Sequence, residues 1–225
     1  KVIRECPPET LCKYPSTLIM FSCIMLLDGD IYTYEKGCGL IDSFINNNPA
    51  GLERGDLCRL EGEFVLLQSL AAKNDIRKMG EGAEKACRLL NGPGSGVLAD
   101  VPWTFGSVSI MSLFWNESGK LDEKLGDFEG VLPSYLRVTR GHGCGADSAV
   151  RAEVMLMRGE DELAEILSHR ALYEARSKNQ ISICICAELI LAQIAILRGD
   201  KEGYVTAIDN LSGYTKEDSN QYISS

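Results

Sequence analysis

Few side chains in this 225-residue sequence are of the types that move protons or hold metals, and those few stand far apart. There are two histidines. His142 lies between Gly141 and Gly143 in a loop, where an imidazole can meet a ligand; with Asp147 its only close acid and no serine or cysteine partner recognisable, ligand contact is the chemistry expected of it, not catalysis. His169 lies among Leu167, Ala171 and Leu172 and reads as an ordinary surface or half-buried helical residue. Glu188 is a lone acid in an apolar run, flanked by Ala187 and Leu189, so it must face a partner or line an opening, because burying it unpaired is costly. Trp103 and Phe105 precede and open a helical stretch, where aromatic rings can wall a groove, whereas Trp115 reads as core. Nine cysteines are present without a C-x-x-C pair. They read as free thiols used as small hydrophobes in a reducing, cytoplasmic compartment, and no metal site is expected. The loop 91–102 is glycine-rich but lacks the Lys-Ser or Lys-Thr that completes a phosphate cradle.

The elements that would position these residues announce themselves by a recurring signal. Apolar stretches end on Asp28-Gly29-Asp30, Lys73-Asn74-Asp75, Ser118-Gly119-Lys120, Arg158-Gly159-Glu160 and Arg198-Gly199-Asp200, at spacings of 45, 45, 40 and 40 residues. Glycine, with asparagine as its substitute, stops a helix in the left-handed conformation, and the acid that follows suits the positive end of the next helix. Seven residues before each anchor stand Ser22, Leu67, Ser112, Ala152 and Ala192, small in four copies, which lets a paired helix approach closely. Eleven before it stand Leu18, Glu63, Val108, Ser148 and Glu188, and eight before it Arg151 replaces an apolar residue, so Arg151 or Arg59 is placed to pair with such an acid. A period near 40 residues with two helices per copy is the pattern of a helical solenoid.

The expected fold is therefore all-α, a right-handed α-α superhelix of about five helix pairs in a single helical-repeat domain over residues 1–225. A lead-in covers residues 1–15, and the repeats cover about 16–46, 56–90, 104–140, 146–177 and 182–212. The third pair would be a helix over 105–118 and one over 121–140, the latter kinked or interrupted at Pro133. Residues 181–197 are apolar on almost every side, as a helix stacked between neighbours should be, and the apolar stretch 18–27 is too short to span a membrane. A net charge of −9 with only 23 Lys and Arg argues against direct nucleic-acid contact. The absence of an initiator Met suggests a fragment of a longer protein.

The order of several short motifs adds a family resemblance. Asp56-Leu57-Cys58-Arg59-Leu60-Glu61-Gly62-Glu63-Phe64, Pro102-Trp103-Thr104-Phe105-Gly106-Ser107, Thr139-Arg140-Gly141-His142-Gly143, Arg151-Ala152-Glu153 and Ala175-Arg176-Ser177-Lys178-Asn179-Gln180 resemble the central helical-repeat region of LuxR-family bacterial transcriptional regulators of the MalT type, over nearly the whole chain. The resemblance implies a tetratricopeptide-like segment that senses a small-molecule inducer or a regulatory protein and controls ATP-dependent oligomerisation. ATP would then bind an absent N-terminal domain, with no cofactor in this segment, and DNA an absent helix-turn-helix. The period is longer than in tetratricopeptide repeats and the helix-ending prolines are missing, so the likeness stops at "tetratricopeptide-like". Trp103, Phe105, His142, Arg151, Arg59, Glu63 and Glu188 are the expected ligand- or partner-binding residues, on the concave side of a non-enzymatic protein with no membrane contact and with scope for self-association. The alternatives are a general scaffold for a protein partner without an inducer, and an all-α hydrolase or lyase using Glu63 and Glu188.

Overall fold

The computed structural model describes residues 6–48, 51–72, 74–91, 103 and 107–217. Among them the chain is all-helical, with ten α-helices and no strand. The helices are α1 (Pro8–Leu11), α2 (Pro15–Leu27), α3 (Ile31–Asn47), α4 (Arg54–Ala71), α5 (Ile76–Leu90), α6 (Leu121–Val138), α7 (Ala146–Met157), α8 (Asp161–Ser177), α9 (Ile181–Arg198) and α10 (Lys201–Glu217). They fall into two compact units. The first holds Lys1–Asp100 with Pro133–Arg140, and the second holds Val101–Leu132 with Gly141–Ser225.

In the first unit α2 packs on α3 and α4, and α4 packs on α5. In the second, α9 packs on α7, α8 and α10, and α7 on α8. The joints inside these pairs are closed by the backbone. Gly29, Gly159 and Gly199 all have positive φ, at 74°, 79° and 69°. The residue after each glycine reaches back five positions with its N–H: Asp30 to the Met25 carbonyl, Glu160 to Met155 and Asp200 to Ala195, each at 2.9 Å. That bond satisfies a carbonyl the helix end would leave orphaned and turns the chain back on itself. The acids then cap the next helix. Asp30 accepts from the Thr33 N–H at 3.2 Å, Asp75 from Lys78 at 3.1 Å and Asp200 from Gly203 at 3.0 Å. Asparagine has the complementary task between pairs, where Asn48, Asn91 and Asn179 take positive φ.

Three expectations need correction. Asn74 is not among the positive-φ residues; α4 ends at Ala71, and the joint closes through the Asp75 N–H on the Ala72 carbonyl. The helix expected over 105–118 does not form among the described residues, which hold there only a short turn of 3-10 helix, Met111–Leu113. The physical reason lies in Glu153 on α7. Its carboxylate accepts from the Ser109 hydroxyl and, at 3.1 Å, from the Met111 N–H, so the segment's backbone donor is taken by a side chain instead of by a helical ladder. The third correction is at Pro133, which does not interrupt α6: the helix continues to Val138. Proline deprives the Glu129 carbonyl of its usual partner, and the boundary between the two units falls at that residue.

The core follows the helical periods. In α5, Ile76, Met79, Ala83 and Ala86 form one buried stripe. In the second unit Ala152, Ala164, Ile190 and Ile194 meet in a cluster where small residues on α7 and α8 admit the larger ones of α9. The small column before the anchors is buried at Ser22, Ala152 and Ala192. Helix α9 is long and apolar enough to cross a membrane, with a mean hydropathy of 2.0 over Ile181–Arg198, but most of it is buried against its neighbours. Three cysteines are buried: Cys23 on α2, and Cys184 and Cys186 on α9. Burial pushes the Cys23 thiol up to about 11 and Cys186 to about 12.

Candidate functional site

Glu188 organises the most chemically distinctive place in the second unit. It sits mid-way along α9 with 2% of its surface exposed. Among the described residues both of its hydrogen bonds fall on one oxygen: Oε1 accepts from Arg176 Nη2 at 3.2 Å and from Asn210 Nδ2 at 3.0 Å. Arg176 closes α8 and Asn210 faces it from α10, so one carboxylate ties three helices. Arg176 also donates through Nε to the Tyr214 hydroxyl at 2.8 Å. At the far end, Arg198 spans from α9 to Asp161 and Glu165 on α8, with both contacts at 2.6 Å. That exposed pair of bridges is worth little by itself. The bond between Arg176 and the buried carboxylate carries more, since it is a charge-assisted hydrogen bond to a group removed from water.

Between α8, α9 and α10 lies a cavity of about 280 Å³. Leu172, Leu191 and Ala207 supply apolar wall, while Glu188, Thr206 and Asn210 supply polar groups. Burial raises the Glu188 carboxyl above the ordinary carboxylate value, against the opposing pull of Arg176, the Asn210 amide and His169. The folded chain therefore holds a proton at Glu188 more tightly than the unfolded chain does. Stability from this group is full below its unfolded pKa and is lost as pH rises through the folded pKa. Urea melts at intervals between about pH 4 and pH 8 should show a decline that Glu188→Gln flattens.

The described residues expected to line one pocket divide between the two units. Arg59 and Glu63 belong to the first unit, where with Asp56 and Met20 they border a separate cavity of about 560 Å³. Phe105 lies outside the described residues. His142 is buried at 5% exposure. The glycine loop around it folds inward: the Gly143 N–H donates to Gln180 Oε1 at 2.6 Å. Arg151 pairs with Glu129 on α6 and not with Glu188. Of the described residues among the seven, Glu188 alone lines the α8–α10 cavity.

The two tryptophans exchange roles. Trp103 packs edge-on against Phe128, with ring centroids 5.9 Å apart at 90°, and its backbone N–H donates to Ser182 Oγ at 3.3 Å. Its indole also lies so close to Gly143 that no Cβ fits there. Trp115 is 38% exposed, because without a helix over 105–118 there is no apolar face to carry it inward; Phe114 points in instead and meets Phe128 at 5.8 Å.

Arg176, Asn210 and Tyr214 are the members that sequence reasoning missed. A lone buried acid implies a donor nearby, yet that donor stands 12 residues back across a turn and the second stands 22 residues forward on another helix. No local pattern connects them. Among the described residues no group of three or more His, Cys, Asp or Glu is placed to hold a metal ion. No protein-family model matches the chain, and no curated protein or solved structure shows significant similarity to it.

Proposed function

We infer that this chain is the ligand-sensing or partner-binding segment of a LuxR-type, ATP-dependent transcriptional regulator of the MalT kind, made of tetratricopeptide-like helix pairs. In this reading it binds a small-molecule inducer and thereby controls activation and oligomerisation of the regulator in the cytoplasm. ATP and DNA are handled by other domains. Support comes from the motif order in the sequence and from the repeated glycine-closed helix pairs. The observation that carries it is the α8–α10 cavity, a concave site with apolar walls and a buried carboxylate in its lining, which is the usual make-up of a small-ligand site.

A second reading, a scaffold for a protein partner, draws on Leu163, Ile166 and Tyr173, exposed apolar residues on α8. Thermal-shift screening of the chain against sugars, nucleotides, amino acids and amines separates the two. A ligand that binds only the native state raises the melting temperature, by an amount that grows with ligand concentration. Sensing predicts at least one such compound class, with the effect diminished in Glu188→Gln. If no class raises the melting temperature, the scaffold reading takes its place.

A further inference from the structure

We propose that the α8–α10 cavity binds a small molecule through a primary ammonium group, with Glu188 Oε2, Asn210 Oδ1 and Thr206 Oγ1 accepting its three N–H bonds. The proposal rests on the sensing reading above and names the class of ligand. Three observations lead to it.

The first is an inventory of acceptors. Both donors to Glu188 converge on Oε1, and Oε2 accepts nothing among the described residues, although the carboxylate is 98% removed from solvent. A buried carboxylate oxygen without a donor is costly, so Oε2 favours a donor brought into the cavity by a ligand. Asn210 must turn Nδ2 toward the carboxylate, since two acceptors would repel, and this leaves Oδ1, on a side chain open to solvent, as a second acceptor. The Thr206 hydroxyl gives its proton to the Glu202 carbonyl at 2.9 Å and keeps its lone pairs as a third. Thr206 and Asn210 are four residues apart and share a face of α10, and all three groups line the same cavity.

The second is charge. Glu165, Glu188 and Asp200 line the cavity with Arg176, Arg198 and the His169 imidazole, so carboxylates exceed guanidiniums by one. A single positive charge balances the acids against the guanidiniums. A sugar brings no charge, and an anion would add to the excess.

The third is shape. The apolar walls include Leu172, Leu191, Ile194 and Ala195, which suit a short hydrocarbon body. The volume of about 280 Å³ sits at the low end for small-molecule sites, so the occupant is a small amine and not a polyamine chain or a nucleotide.

The test measures melting and calorimetric binding of the 225-residue chain with n-pentylamine. Matched controls are n-pentanol, pentanoate and pentyltrimethylammonium, which respectively lack the charge, reverse it, and keep it without N–H donors. The expected result is stabilisation by pentylamine alone. Glu188→Gln, which puts an amide donor near the ammonium, should weaken binding at least about tenfold, as loss of a charge-assisted bond implies. Thr206→Val, at an exposed position, should weaken it severalfold without altering the melting temperature of the free chain. If Glu188→Gln does not fold, Thr206→Val decides alone. The proposal is overturned if pentylamine does not bind. It is equally overturned if any control binds as well, or if the folded variants bind pentylamine like the parent. A sugar or nucleotide that stabilises the chain while pentylamine does not would defeat this proposal and leave the sensing reading standing.

Discussion

Trp103→Ala is expected to destabilise the second unit by about 3 kcal/mol, the lower end for removing a packed aromatic, whereas Trp115→Ala should change stability by no more than about 0.5–1 kcal/mol. The contrast comes from what each ring touches. Trp103 stands edge-on to Phe128 and covers the glycine of the 141–145 turn, so alanine there opens a void between α6 and that turn. Trp115 keeps 38% of its surface in solvent and leaves the interior to Phe114. Urea denaturation followed by helical circular dichroism on the two variants measures the difference. Equal losses would mean that the ring over Gly143 contributes no more than an exposed one.

Gly145→Ala is expected to cost about 2–4 kcal/mol, adding the strain of a left-handed residue to that of an overpacked contact. Gly145 has φ 91°, and a Cβ built on it would stand 2.7 Å from the Ala171 carbonyl oxygen and 3.1 Å from the Ala175 nitrogen. Those are backbone atoms of α8, which cannot swing aside as a side chain would. Gly159 supplies the control. It too has positive φ, 79°, but a Cβ there meets nothing within 4 Å. Gly159→Ala should therefore cost only the conformational part, about 1 kcal/mol. The same melts give both numbers, and a Gly145 variant no worse than the Gly159 variant would show that α7 and α8 can separate at little cost.

The helical class and most joints were legible because they are written locally. A glycine followed by an acid states both the stop of one helix and the cap of the next, and both bonds involve residues within five positions. Where the stretch around Gly119 broke the pattern, the cause was distant: Glu153, more than forty residues on, claims the Ser109 hydroxyl and the Met111 N–H. Periodicity cannot see a partner at that range. The same limit explains the candidate site. Glu188 stood out because an acid in an apolar helix is anomalous by itself. Arg176 and Asn210 did not, since each is an ordinary polar residue until α8 and α10 are folded against α9. The expectation of one pocket read columns of a repeat as neighbours in space; Arg59 and Glu63 belong to one compact unit and Glu188 to the other.

The buried cysteines give the molecule its own clocks. A thiol attacks a reagent as the thiolate, and burial both hides Cys23 and Cys186 and holds them protonated, near 11 and 12. Their reaction in the native chain must wait until the surrounding helices part. Cys23 lies in the first unit, and Cys184 and Cys186 lie in the second, so each unit times its own breathing with a residue it already possesses. The order in which these sulfurs are modified then ranks how readily the two halves of the chain open.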